Sequence, residues 1–173
     1  MDSCIGSVMQ VAYLVPDLDE AIEHWARLGV GPFFVQRNVA YAEQTYRGQP
    51  TRFEISAAFA YFGDLQLELV QQLNDQPSSY KDFAAEKGFG VQHLGILSHD
   101  LCEDAKKLEA AGFMQIQRML SSAGVETILF DRDGQNGSVI ELIGASPLVL
   151  EGFAQMKAAA AGWDASMPKI ILI

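Results

Sequence analysis

Basic residues are scarce: the 173-residue chain carries 12 Lys and Arg against 22 Asp and Glu, a formal net charge of −10. Such a surface repels phosphate backbones and anionic lipid, which argues against nucleic-acid or membrane-surface partners. Cysteine is nearly absent. Only Cys4 and Cys102 occur, and the start at Met1-Asp2 lacks the basic-then-apolar pattern of an export signal, so the expectation is a reduced, cytoplasmic protein. No apolar run approaches the roughly 20 residues that a membrane helix needs, and the Ala-rich stretch near Lys157 is short and interrupted by charge. What the chain does have is apolar material, 49% of its residues, enough for one ordinary core or two small fused modules.

The chain contains itself twice. Residues 10–30 (QVAYLVPDLDEAIEHWARLGV) superpose without a gap on residues 93–113 (HLGILSHDLCEDAKKLEAAGF), aligning Leu14 with Leu97, Asp17 with Asp100, Glu20 with Glu103 and Gly29 with Gly112. Each copy reads as strand, helix, glycine stop. Asp17 and Asp100 suit the N-cap, Glu20 and Glu103 sit three residues on as in a capping box, and Gly29 and Gly112 suit the left-handed position after the last turn. Leu18, Ala21, Ile22, Trp25 and Leu28 recur at helical spacing in the first copy, as do Leu101, Ala105, Leu108 and Ala111 in the second, and read as core stripes.

Three strand-like stretches follow each helix: about 33–38, 51–62 and 65–71 with a turn at Gly63-Asp64, then about 114–120, 125–131 and 138–143 with a turn near Asp133-Gly134 and Asn136-Gly137. The expected organisation is a first βαβββ module over 1–72, a polar connector over 73–90 with a short helix near Tyr80–Glu86, and a second βαβββ module over 91–145. A C-terminal helix and tail over 146–173 complete it, the helix spanning about Pro147–Ala161 and the tail ending KIILI.

Alternation sorts the strand residues by face. In DLQLELV, Leu65, Leu67 and Leu69 make one apolar face, which leaves Gln66, Glu68 and Val70 on the other. In the corresponding strand of the second copy Ile140 and Leu142 face the helix, so Glu141 points away from it. The first strands behave likewise: Gln10 and His93 fall on the face opposite the one that packs on the helix. A carboxylate in an apolar interior costs several kcal/mol unless it is paired or bound to a cation. Taken singly, His93 could be a hydrogen-bonded core histidine and Glu68 a solvated strand residue. Four positions related by one repeat point instead to a divalent-metal site with three oxygens and one imidazole nitrogen from Gln10, Glu68, His93 and Glu141.

Over residues 6–145 the sequence resembles the vicinal oxygen chelate superfamily, which includes glyoxalase I, methylmalonyl-CoA epimerase, extradiol dioxygenases and bleomycin-resistance proteins. VAYLVPDLDEAIEHW, LELVQ around Glu68, the connector PSSYKDFAAEKGFGVQHLGI and DRDGQNGSVIELI around Glu141 carry the resemblance. The connector looks most like the methylmalonyl-CoA epimerase branch. The resemblance implies an α+β fold, with two βαβββ half-barrels forming a curved mixed sheet around a metal, and it places the metal ligands on Gln10, Glu68, His93 and Glu141. Gln10 departs from the His of most bacterial relatives, and the Gln, Glu, His, Glu set resembles that of animal glyoxalase I. Without an imidazole at position 10, the 2-His-1-carboxylate triad of a dioxygenase is missing.

A redox-inert divalent ion (Zn, Ni, Co, Mn or Mg) at such a site suits removal of a proton next to a carbonyl or acyl-thioester group, as in epimerases, isomerases and glyoxalase-like lyases. Glu141 is the expected base and Glu68 its pseudo-symmetric partner. Glu54, in TRFEISAAFAYF, is a rival second base: a two-residue turn at Gly63-Asp64 turns it away from Glu68, a three-residue loop turns it toward Glu68. Arg47, Arg52, Lys81 and Lys87 are scattered candidates for contacting CoA phosphates. Phe33, Phe34, Phe59, Tyr61 and Phe89 could line an apolar pocket. His24, His99 and Cys102 read as incidental. The expected partner is a small-molecule carbonyl or acyl-thioester substrate, with a non-catalytic small-molecule binder as the alternative of another class. The apolar tail suggests a homodimer.

Overall fold

The computed structural model describes residues 5–132 and 139–173; Cys4 and the expected turn at Asp133-Gly134 and Asn136-Gly137 lie outside them. The first module comprises β1 (Val8–Leu14), α1 (Leu18–Arg27), β2 (Phe33–Gln36), β3 (Tyr41–Tyr46), β4 (Gln49–Pro50), β5 (Ile55–Phe62) and β6 (Leu65–Gln72). Helix α2 (Ser79–Lys87) lies in the connector. The second module comprises β7 (Gly90–Ser98), α3 (Leu101–Ala110), β8 (Met114–Ser121), β9 (Glu126–Asp131) and β10 (Val139–Gly144), followed by α4 (Pro147–Ala161) and β11 (Ile170–Leu172). No helix among the described residues is long and apolar enough to cross a membrane.

The helix starts follow the sequence logic. Asp17 accepts a hydrogen bond from the Glu20 N–H and Asp100 from the Glu103 N–H, each capping an orphan donor of the first turn. Gly29 and Gly112 take φ of 84° and 87° after the last turns, which glycine adopts at little cost. Helix α4 starts at Ser146, whose hydroxyl accepts from the Val149 N–H, with Pro147 directly inside the first turn.

All the strands form one mixed sheet in the order β11-β2-β5-β6-β1-β7-β10-β9-β8-β3-β4. The two modules join within the chain through antiparallel β1 and β7, while β1 runs parallel to β6 and β7 parallel to β10. One face carries α1 and α3: Leu18 and Ile22 of α1 pack on Phe33, Ala58, Leu67 and Leu69, and Leu108 of α3 packs on Ile96, Phe130 and Leu142. The concave face is left for the site.

The structure differs from the sequence reading in the first module. Residues 51–54 are not strand, and a hairpin over 41–50 is inserted before β5. Its two-residue turn, Arg47-Gly48, has positive φ at both positions (48° and 75°), as a type I′ turn demands. Strand β3 pairs antiparallel with β8 of the other module. Val39 N–H donates to Ile55 O and Ser122 N–H donates to Ala40 O, at 2.9 and 2.8 Å. Consecutive residues thus bond to opposite lips of the sheet, which curls it into a cup. The KIILI tail is not loose: Ile170–Leu172 pairs in parallel with Phe33–Val35.

Candidate metal centre

Strand register sets the site. Gln10, Gly95 and Glu141 lie in one row across β1, β7 and β10, and Glu68, Ala12 and His93 lie in the next row along β6, β1 and β7. The repeat that equates Gln10 with His93 also equates Ala12 with Gly95. Each row therefore has a very small residue at its middle, flanked by polar side chains.

His93 is fully buried, and its Nε2 lies 3.1 Å from Glu68 Oε2 and 3.3 Å from Glu141 Oε2. One potential ligand atom from each of the three residues falls within 4.8 Å of the others, and all three side chains are buried. Burial lifts the Glu68 carboxyl above the ordinary carboxylate range, partly offset by its hydrogen bond to His93. Burial alone would push the His93 imidazole down. The charges of Glu141 and Glu68 and their hydrogen bonds outweigh it and push His93 up to about 10.

The orientation of the ring is set from behind. Between Ala12 and Tyr13 the β1–β7 register slips by one residue, so Gln92 is extra on β7 and shares the side of its neighbour. Gln92 Oε1 lies 2.6 Å from His93 Nδ1. That acceptor favours the proton on Nδ1 in the neutral ring and leaves the Nε2 lone pair facing the two carboxylates.

Gln10 lines the same cavity as Glu68 and Glu141. Its Nε2 donates to Gln66 Oε1 at 2.8 Å, and Gln66 Nε2 donates to Tyr61 Oη at 3.3 Å, all among buried side chains. The amide is thereby held by its nitrogen. Gln10 Oε1 is buried and has no hydrogen-bond partner, a costly state for an amide oxygen unless something else binds it. An orphan amide oxygen, an imidazole whose Nε2 becomes a ligand once its proton is displaced, and two carboxylates are donor types that fit a hard-to-borderline divalent cation.

Gln10, Glu68 and Glu141 line a cavity of about 430 Å³ on the concave face. Its other walls include Tyr41, Ile55, Phe59, Tyr80 and Met119, and α4 covers it with Leu148, Val149, Gly152, Phe153 and Met156. The Lys157–Asp64 ion pair, 2.7 Å, ties α4 to the β5–β6 turn. The Tyr80 phenol is held well above its ordinary range by burial first, then by Glu141, Tyr41 and Glu68, and Tyr41 is raised for the same kinds of reason. Both phenols are therefore neutral hydrogen-bond donors.

Glu54 does not join the site. The turn at Gly63-Asp64 has two residues, pairing Phe62 with Leu65 and Phe59 with Glu68, and this register puts Glu54 on the other side. It is exposed, with its backbone N–H donating to Asn74 Oδ1. Of the aromatic residues read as pocket candidates only Phe59 lines the cavity; Phe33 is helix-side core and Phe89 is exposed. Arg47, Arg52, Lys81 and Lys87 are all absent from its walls, and Arg47 is bound to Asp82. His24, His99 and Cys102 are exposed. Gln66, Gln92 and Gly95 lie outside the set of site residues that the sequence points to, although Gln66 shares the strand face of Glu68 and is readable by the same alternation.

Residues 9–124 match the Glyoxalase/Bleomycin resistance protein/Dioxygenase superfamily, and the chain belongs to it. Among solved structures it is similar to methylmalonyl-CoA epimerase from Mycobacterium tuberculosis, with a TM-score of 0.60 and 21% identity over 87% of this chain and 95% of that one. A variant of Streptomyces coelicolor methylmalonyl-CoA epimerase in complex with 2-nitronate-propionyl-CoA gives 0.55 and 16% identity over 83% and 96%. A hypothetical protein from Bacillus halodurans gives 0.58 and 14% identity over 81% and 94%. These likenesses establish a shared fold. The sequence matches no curated protein.

Proposed function

We propose that the cup holds one divalent cation between Gln10, Glu68, His93 and Glu141, and that the protein is an isomerase, epimerase or lyase that moves a proton next to a carbonyl or acyl-thioester group. The observation that carries this reading is the pair of buried carboxylates on either side of one buried imidazole, beside an amide oxygen with nothing to bind. Bound there, such a cation would supply Lewis-acid stabilisation to an enolate oxygen.

The chain's own residues supply the proton transfer. Glu141, on the floor of the cavity, accepts the proton from the carbon beside the carbonyl and becomes a carboxylic acid as the electron pair moves to the enolate oxygen. Glu68, whose carboxyl is held above its ordinary range by burial, faces the same space from the other module. Delivery of a solvent proton through the Glu68 carboxylate to the opposite face, with the proton on Glu141 released to solvent, inverts the centre, and return from Glu141 to a neighbouring carbon isomerises it. The apolar roof from α4 excludes water from the exposed carbanion. The epimerase neighbours support the first outcome. A glyoxalase-like outcome is favoured by the amide at position 10.

The structure also leaves an apolar edge strand, Ile170–Leu172, with one side unpaired among the described residues and Leu172 71% exposed. Edges of this kind invite pairing with another chain, and a homodimer is part of the proposal. Sedimentation at micromolar concentration should give twice the chain mass; a single-chain mass contradicts it.

The test of the reaction is deuterium incorporation from solvent, followed by mass spectrometry. Three compounds are offered: methylmalonyl-CoA, the methylglyoxal–glutathione hemithioacetal and the neutral 1-phenylpropane-1,2-dione. Incorporation into at least one that needs added cation and is lost in Glu141→Gln supports the proposal. Incorporation that persists without cation and in Glu141→Gln overturns it. Silence with all three alongside saturable binding indicates the non-catalytic binder.

A further inference from the structure

The metal reading leaves the substrate open between charged thioesters and uncharged carbonyl compounds. The cavity itself discriminates. Its walls beyond the ligand cluster are dominated by Val39, Ile55, Phe59, Met119, Phe153 and Met156, and no Lys, Arg or His occurs among the described residues that line it. Among the described residues the charged side chains on its walls are Glu68 and Glu141. The cations next in sequence to lining residues are paired elsewhere: Lys157 with Asp64, Arg118 with Glu126 and Glu43, Arg37 with Asp19.

A charge count follows. A divalent cation with two carboxylates and a neutral imidazole makes a centre with no net charge. A substrate carboxylate or phosphate in this cavity would then be a buried anion without a counter-charge, which is strongly unfavourable. An uncharged carbonyl compound meets no such penalty. Proton transfer from it to Glu141 only moves one negative charge from carboxylate to enolate, so the total stays the same. Ser121, Ser122, Thr127 and Gln36 offer hydrogen bonds to a neutral oxygen at the cavity wall.

The roof supplies room as well. Gly152 sits inside α4, where glycine is less stable than alanine, and it lines the cavity. A β-carbon built there meets nothing within 4 Å, so its absence is not needed for helix packing. The cavity, at about 430 Å³, is of a size typical of sites for drug-sized ligands, and a larger side chain at position 152 would take up part of it.

We propose that the compound bound in this cavity is an uncharged, largely apolar carbonyl compound, aromatic or alicyclic, and that Gly152 sets how large it can be. The reacting end of this inference rests on the metal reading; the apolar end does not. Three probes separate the cases: 1-phenylpropane-1,2-dione, its anionic counterpart phenylglyoxylate, and propionyl-CoA. Each is titrated calorimetrically into metal-free and zinc-loaded protein, wild type and Gly152→Leu, with Gly152→Ala as a control for the helix.

The dione is expected to bind both forms at least tenfold more tightly than either anion. Gly152→Leu should weaken it at least tenfold while leaving the visible spectrum of the cobalt-substituted protein unchanged. Equal or tighter binding of phenylglyoxylate or propionyl-CoA overturns the proposal, as does failure of the dione to bind either form, or unchanged dione affinity in Gly152→Leu. Dione binding that responds to Gly152→Leu in a protein that takes up no metal sustains the apolar cavity and defeats the metal reading alone. Metal uptake with a preference for the anions does the reverse.

Discussion

The Gln10 side chain lies across Gly95 so closely that a β-carbon at position 95 would come within 2.3 Å of Gln10 Oε1. Glycine here is required by the close approach of a side chain, not by backbone conformation. Gly95→Ala should displace the amide, destabilise the fold by about 1–3 kcal/mol as overpacking does, and weaken cation binding at least tenfold. Thermal unfolding and a zinc titration check both effects; unchanged zinc affinity in a folded variant removes Gln10 from the ligand set.

Gln66 holds the other end of that amide. Gln66→Leu removes the acceptor of Gln10 Nε2 and leaves a buried donor unsatisfied, at a cost of about 1–3 kcal/mol. Cation affinity should fall because Gln10 is free to turn. Equal affinity with equal stability would mean that the Gln10–Gln66 bond positions nothing.

In the metal-free protein His93 is raised from its ordinary value of 6.5 to about 10, because Glu141 and Glu68 overcome the effect of burial. Its protonated form therefore stabilises the metal-free fold, fully below about pH 6.5, and that contribution is lost as pH rises through about 10. The unfolding temperature of metal-free protein should be lower at pH 9.5 than at pH 7, with the difference much reduced in His93→Gln. A cation must displace this proton, so calorimetry at pH 8 in buffers of different ionisation enthalpy should report about one proton released per zinc bound. No release would contradict the His93 assignment.

Glu141→Gln keeps the shape and removes the base. Cation-dependent exchange should fall by about 10²–10⁴-fold, the usual range for a general base, while Glu54→Gln should leave it unchanged, since Glu54 is exposed and lies outside the cavity. The reverse pattern would assign the chemistry to the wrong carboxylate.

Much of the fold was legible because it is written in local signals. The aspartate caps, the glycine stops and the Ser146-Pro147 start of α4 act within one turn of chain, and the helices begin and end where those signals lie. The face of each ligand strand is readable from alternation, while the internal repeat and the family resemblance group Gln10, Glu68, His93 and Glu141 into one expected set. The β3–β4 hairpin was not legible. Its strand YAEQTY has no apolar alternation, its turn uses Arg47 at a positive φ where Asn or Asp is usual, and its partner residues on β8 are 71 to 80 positions away in sequence. The Gln92 partner of His93 was hidden for a related reason: strict alternation puts Gln92 on the opposite face, and only the register slip between β1 and β7 brings it round. The direction of Glu54 depends on a turn length that sequence does not set, and the observed two-residue turn at Gly63-Asp64 points it away from Glu68.

The central claim is that two carboxylates, an imidazole and an amide oxygen act on one cation. The most direct measurement is the stoichiometry of divalent metal in purified protein after zinc or nickel loading and dialysis, for wild type and His93→Ala. One ion per chain in the wild type, lost in the variant while both remain folded, is the predicted result. A folded wild-type protein that takes up no divalent ion on titration, or a His93→Ala protein that holds it equally well, would contradict the account.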